Sequence, residues 1–336
     1  VILAYLLVGV LFPGEAFLAI TVPAFVAFQP QVSYEAAMVN NDILCIALVS
    51  LVLYLLARGI RDRFPWRICV YTGIAFGLAL LAKGTSVIAA PLIALAVIMA
   101  IGPRHVPRWV TRGGLIALLA GLISSPWYIF LYRTYGNFSA FKQIEALQYW
   151  NYAFQSKPTI LDQLFNKDFA VMRWRETWGE FGWRLIHLSN AMLWAIGIPC
   201  LIALGGLIWY AVKVIRRRDR PADRDVDDPV LHPRRWQVEI LILLFATAVV
   251  AYYAILQFGT SFALTQARYY FPAINAVAIL LMLGLRTLFP RPWRPYAQSG
   301  ILVALLLMNI FIYTQNVIPY WHYIVPRSPV WRLLPA

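Results

Sequence analysis

The sequence predicts an all-α fold: a polytopic transmembrane helical bundle of about ten spans, with an extracytoplasmic loop of juxtamembrane amphipathic helices. Three observations carry that expectation. Of the 336 residues, 61% are hydrophobic and 13% charged, against roughly 25% charged in an average soluble domain. The mean hydropathy is +0.67, and apolar runs near the length of a membrane-crossing helix recur along the whole chain. Lysine and arginine punctuate those runs instead of forming one basic face. The formal net charge of +14 therefore belongs to membrane topology and not to a nucleic-acid partner.

A helix needs about 20 residues to cross the hydrocarbon, fewer when tilted or flanked by snorkelling groups. The runs that qualify are 1–12, 16–28, 36–57, 67–82, 84–101, 113–131, 190–212, 237–258, 268–288 and 298–316. The first opens at Val1, inside an apolar stretch with no charged segment before it, which predicts a natural N-terminus upstream. Cys45, Cys69 and Cys200 all fall inside apolar runs, where a thiol behaves as a small hydrophobe. Four basic connections, at 58–67, 102–112, 213–235 and 286–294, hold 18 of the 29 lysines and arginines. Even numbers of spans separate them, so one topology puts all four in the cytoplasm.

The chain reads as a single transmembrane module over 1–336, with a cytoplasmic linker at 216–236 and an extracytoplasmic loop at 132–189. The linker mixes charges of both signs with prolines and has no apolar period, as a flexible connector does. In the loop, Ile160, Leu161, Leu164, Phe165 and Phe169 recur at helical spacing after Pro158. That predicts one or two helices lying on the membrane surface. Trp174, Trp178, Phe181 and Trp183 follow, either as an interfacial belt or as faces on which sugar rings stack. No internal repeat at a fixed period is visible, which argues against duplicated transporter halves.

Under this topology the notable polar residues share the outer face. Glu35 precedes Asn40, Asn41 and Asp42, which open the run at 36–57. Asp42 reads either as a favourable N-terminal helix charge or as an acid that faces water or a cation. Lys83 turns a tight helical hairpin and reads as a snorkelling cation or an anion ligand. Arg268, followed by Tyr269 and Tyr270, runs against the positive-inside pattern and favours an anionic partner. Cations at headgroup depth suit a lipid-linked phosphate, and a nearby carboxylate can take a proton from an attacking hydroxyl or amine. No histidine has a partner at metal-ligand spacing, so no cofactor is named; a divalent cation on Glu35 or Asp42 together with a donor phosphate stays chemically open.

Four stretches together resemble a known group. They are Gln29-Pro30 with Asn40-Asn41-Asp42, the hairpin Gly77 to Gly84, Trp178-Gly-Glu-Phe-Gly-Trp183, and Ala267 to Pro272. They are similar to the C-type-fold membrane glycosyltransferases, in particular the family-39-like protein mannosyltransferases, aminoarabinose transferases and bacterial relatives. The resemblance implies transfer of a hexosyl or pentosyl group from a polyprenyl-phosphate donor to a lipid, glycan or protein acceptor. Transfer would take place on the extracytoplasmic face of the inner membrane, generally with inversion. It implies Lys83 and Arg268 as donor-phosphate ligands and Asp42 as a candidate catalytic residue. Glu35, Asn41, Trp178, Trp183, Tyr269 and Tyr270 would line the substrate cavity. The group's main catalytic acid lies in a first outer loop, which would fall upstream of Val1. Two other classes would use the same cations. One is a transporter or flippase of a lipid-linked substrate, which would place ionisable groups nearer the bilayer midplane; the other is a non-catalytic assembly subunit.

Overall fold

The computed structural model describes residues 1–139, 158–217, 228–261 and 266–324. All ten apolar runs form helices. In chain order these are α1 (Ile2–Leu11), α2 (Ala16–Phe28), α3 (Pro30–Ala37), α4 (Asp42–Asp62), α5 (Trp66–Ala82), α6 (Ala89–Ile101) and α7 (Val106–Tyr135). After the loop helices α8 (Ile160–Phe165), α9 (Lys167–Trp178) and α10 (Phe181–Arg184) come α11 (Asn190–Arg217), α12 (Arg235–Ser261), α13 (Ile274–Leu288) and α14 (Arg294–Ile312). The fold is the all-α polytopic membrane bundle that the sequence predicts. Among the described residues seven helices are long and apolar enough to cross a membrane, or eight if the bent pair α2 and α3 counts as one span. The other two runs, α1 and α5, are apolar but shorter.

One expected span is divided. The run at 36–57 supplies only the end of α3 before the chain breaks, and α4 begins afresh at Asp42. Pro30 opens α3, and the Gln29 side chain accepts the Val32 N–H at 2.5 Å. The axis then turns 59° from that of α2. The Asn40 side-chain oxygen accepts the backbone N–H of Asp42 at 2.9 Å and of Ile43 at 3.4 Å. Those are orphan donors of a new helix start, and satisfying them lets the chain stop one helix and begin another.

Close helix crossings depend on small residues, because lipid offers no hydrophobic drive for helices to associate. On α5, a Cβ at Gly73 or Gly77 would stand 2.8 Å from the Cβ of Leu119 or Ile123 on α7. Where α11 crosses α13, a Cβ at Gly284 would collide with the Ala203 carbonyl oxygen. The most apolar 18 residues of Ala267–Leu288, the segment containing α13, are 83% buried and belong to the centre of the bundle, whereas those of Arg291–His322 are 11% buried.

Where it is described, the loop is mostly helical and closes on a short antiparallel bridge of Ile186 and His187 with Phe181 and Glu180. A capping box between Thr159 and Asp162 starts α8, and Asn166 caps α9. Leu161, Leu164 and Phe165 remain exposed, as suits helices resting on a membrane surface. Residues 140–157 lie outside the described residues.

The expected linker also differs at one end. Residues 218–227 lie outside the described residues, but the following segment is docked and not free. Asp228 is 6% exposed and accepts from Arg286 at 2.8 and 2.9 Å and from Arg294 at 2.6 Å. Arg286 also reaches Glu15 at 2.6 Å, and the Tyr210 hydroxyl donates to the Val230 carbonyl at 3.0 Å. Buried guanidinium–carboxylate bonds outweigh the solvation that mixed charge would otherwise seek.

Candidate active site

The opposite end of α13 carries a second ionic cluster. Arg268 lies in the 3-10 turn Ala267–Ala273 that leads into α13. Helical rise places it about 30 Å from Arg286, close to the hydrocarbon thickness of a bilayer. Asp42, Lys83 and Arg268, remote in sequence, meet here. The Lys83 ammonium donates to the Asp42 carboxylate, and Arg268 Nε stands 3.6 Å from its other oxygen. Lys83 gets there because α5 ends at Ala82 and Lys83 is extended, its carbonyl accepting the Ser86 N–H at 2.9 Å. Its ammonium also sits 4.5 Å from the centroid of the Tyr269 ring.

The three consecutive polar residues at the start of α4 diverge, as helical geometry requires. Asn40 donates to Glu35 at 3.0 Å while capping α4, Asn41 donates to the Ala82 carbonyl at 2.9 Å, and Asp42 alone turns to the cations. Asn41 thus ties the end of α5 to the start of α4.

Beside this cluster lies a cavity of about 280 Å³, lined by Gln31, Tyr34, Glu35, Glu176, Glu180, Arg184 and Arg268 among others. Glu35 is 3% exposed and is held by Asn40 and, at 3.5 Å, by Gln31. The far wall comes from the loop. Glu176, also buried, accepts from Arg184 Nε at 2.6 Å and from the Ala267 backbone N–H at 2.8 Å. Arg173 pairs with it at 3.1 Å. Burial pulls the Arg173 guanidinium down to about 10, against the Glu176 charge and with help from Arg184, so it stays a cation at neutral pH. The Tyr34 hydroxyl accepts the Gly182 N–H at 3.2 Å, and Glu180 meets His187 at 2.5 Å.

The aromatic residues divide. Tyr269 is the platform under Lys83 and packs edge-on to Phe258 with centroids 5.2 Å apart. Tyr270 follows it in the same turn, half-buried. Trp178, expected at the substrate cavity, is buried against Phe25 and Trp174 and lines a separate apolar cavity of about 390 Å³ between α2, α11, α13 and α14. Trp183 belongs to α10, and its side chain lies outside the described residues.

Glu176 and Arg184 were not singled out by sequence reasoning. The i,i+3 pair Arg173 and Glu176 was a visible signal, since opposite charges at that spacing face one another. Arg184 had none: its φ of +67° is a left-handed conformation uncommon outside glycine, seen only in the structure. Among the described residues no three His, Cys, Asp or Glu side chains gather to hold a metal ion.

Among curated proteins and among solved structures, no significant match to the chain was found. Residues 1–130 match the family model described as dolichyl-phosphate-mannose-protein mannosyltransferase. That stretch contains Glu35, Asn41, Asp42 and Lys83, while Arg268 and the loop helices follow it. Over residues 1–130, then, the chain matches the dolichyl-phosphate-mannose-protein mannosyltransferases, bearing out the resemblance to family-39-like membrane glycosyltransferases that its first two motifs carry.

Proposed function

We propose that this protein transfers a sugar from a polyprenyl-phosphate donor to an acceptor on the extracytoplasmic face of the membrane, with inversion at the anomeric carbon. The observation that carries this reading is the convergence of Lys83 and Arg268 on one carboxylate at the rim of a polar cavity. The family match supports a lipid-linked sugar donor. The charge pattern supports the side, since 18 of the 29 lysines and arginines then lie in the cytoplasm.

In this reading the donor phosphate sits against Lys83 and Arg268, which share the charge that Asp42 now balances. An acceptor hydroxyl or amine attacks the anomeric carbon from the face opposite the phosphate. The bond from that carbon to the phosphate oxygen breaks, and its electron pair leaves on polyprenyl phosphate, where the two cations stabilise it. The acceptor proton passes to a carboxylate of the cavity. Asp42, beside the cavity and paired with its lining residue Arg268, is the candidate for that role from the sequence, and Glu35 lines the cavity itself. Tyr269 fixes Lys83 from below. The apolar cavity near Trp178 offers the prenyl chain a wall as apolar as lipid.

The test uses the purified protein with a radiolabelled mannosyl-phosphoryl-polyprenol. Stoichiometric appearance of free polyprenyl phosphate with labelled acceptor is expected in the parent and lost in Arg268→Gln. A parent that neither binds the donor nor is competed by polyprenyl phosphate would contradict the proposal.

A further inference from the structure

At the end of α6 opposite Lys83, the structure holds a groove that the transfer reaction does not use. It lies between α6 and α7 with Phe76 of α5 behind it, and its volume is about 390 Å³. Ile93, Ala94 and Val97 form one wall and Gly113, Gly114 and Ala117 the other. The small residues make the space: a Cβ at Gly113 or Gly114 would meet nothing within 4 Å. The neighbouring α7 residues Val110 and Leu118 are exposed, so this side of α7 faces lipid.

Trp109 and Val110, which line the groove, are flanked in sequence by cations. The connection between α6 and α7 carries Arg104, the first two turns of α7 carry Arg108 and Arg112, and no carboxylate lies among them; among the described residues none of the three has an acidic partner. The Arg112 guanidinium is stacked 3.2 Å from the centroid of the Trp66 ring, which orients it. Two donors at this end, Arg112 Nη1 and the indole Nε1 of Trp109, are buried without a hydrogen-bond partner. Trp109 itself lines the groove. Topology alone asks only that arginines lie in the connection. It does not ask for an apolar groove beside them or for an unsatisfied indole donor in that groove's lining, which costs free energy until an acceptor arrives.

We propose that this groove binds an anionic phospholipid of the surrounding membrane, its phosphate at Arg108, Arg112 and Trp109 and an acyl chain against Gly113, Gly114 and Ala117. The chemistry is complementary at both ends: phosphate oxygens accept from the guanidinium and indole donors, and a hydrocarbon chain fills a space that water would leave. A soluble phosphate ester would satisfy the guanidinium and indole donors and leave the apolar groove unfilled.

The test is native mass spectrometry of the full chain released from neutral detergent, with three probes: phosphatidylglycerol, phosphatidylcholine with the same acyl chains, and glycerol 3-phosphate. The parent should retain phosphatidylglycerol over phosphatidylcholine by about fivefold or more, the scale of one basic residue at a lipid surface. Glycerol 3-phosphate should not be retained. Arg108→Gln with Arg112→Gln should erase the preference. Gly113→Leu with Gly114→Leu fills the groove where a side chain meets no obstacle, leaves the charges untouched, and should lower phosphatidylglycerol retention with an unchanged unfolding midpoint. Equal retention of the two lipids by the parent, or parental retention in the glycine variant, would overturn the proposal. So would retention of glycerol 3-phosphate as firm as that of the lipid.

Discussion

Two ionic clusters sit at opposite ends of the same central helix, and they are built from similar parts with different surroundings. At the Asp228 end, two carboxylates, Glu15 and Asp228, meet two arginines, Arg286 and Arg294, and the Arg286 side chain is 1% exposed. The charges balance, and Arg286 donates to both acids. At the Asp42 end, one carboxylate lies between two cations whose side chains are 18% and 21% exposed, and a polar cavity opens beside them. A closed, neutral cluster has nothing left to offer a ligand and serves to lock helix ends together. An open cluster beside a polar cavity can exchange part of its internal pairing for an incoming anion. The same residue types thus act as architecture at one end and as a site at the other.

That contrast is sharpened first where the expected effect is largest. Arg286→Ala leaves the half-buried Glu15 without its arginine and the buried Asp228 with Arg294 alone, and should lower stability by about 3 to 5 kcal/mol. Thermal unfolding in detergent reads this directly, and a parental midpoint would break the comparison. Lys83→Gln or Arg268→Gln should weaken binding of polyprenyl phosphate by about 1.5 to 3 kcal/mol, the range for hydrogen bonds to charged groups. Stability should move less there than at Arg286, because the cation removed is partly exposed and Asp42 keeps the other one. Arg268→Lys should recover part of the affinity, since a point charge does not reproduce the planar fork. Equilibrium binding separates these variants.

Acid titration should act on the Asp228 end. Burial alone would raise the Asp228 carboxyl, but hydrogen bonds and charge from Arg286 and Arg294 outweigh it and hold the group at about 2, below its ordinary 3.8. A group depressed in this way contributes its stability above the ordinary value and loses it as pH falls through the folded one. About 2 kcal/mol should therefore persist near neutrality and disappear progressively between those two values. Asp228→Asn should flatten that acid limb of the unfolding curve; an acid limb identical to the parent's would contradict the account. The smallest effect is expected at Asn41→Ala, which removes one hydrogen bond to the end of α5 and should cost about 1 kcal/mol of stability with donor affinity unchanged.

Much of this was legible beforehand, for a physical reason. Hydrocarbon tolerates few charges, so the ten apolar runs stand out from composition, and an acid or cation at a run's edge draws notice because keeping it there is expensive. Asp42, Lys83 and Arg268 were found in that way, and the structure brings all three together. The break between α3 and α4 was not legible, because it rests on the hydrogen bonds of one side chain, Asn40, within a run that reads as continuous. Glu176 was hidden for another reason: its contact with Ala267 crosses 91 residues of sequence, and amphipathic spacing in α9 speaks to the membrane surface and not to a partner turn. Trp178 shows the limit of reading aromatics by type. Its ring packs on Phe25 and Trp174 at the wall of the apolar cavity and not of the polar one.

The most direct test of the division between the two clusters is Asp42→Asn, with turnover and unfolding measured on the same preparation. The substitution keeps the side-chain shape and removes the charge that orders Lys83 and Arg268. The account predicts a loss of turnover of about 100-fold or more, the scale of general acid–base contributions. The unfolding midpoint should shift by less than in Arg286→Ala, since the two cations left behind are partly exposed. Near-parental turnover, or a loss of turnover that only follows unfolding, would contradict it and make the Asp42 end a second architectural clamp.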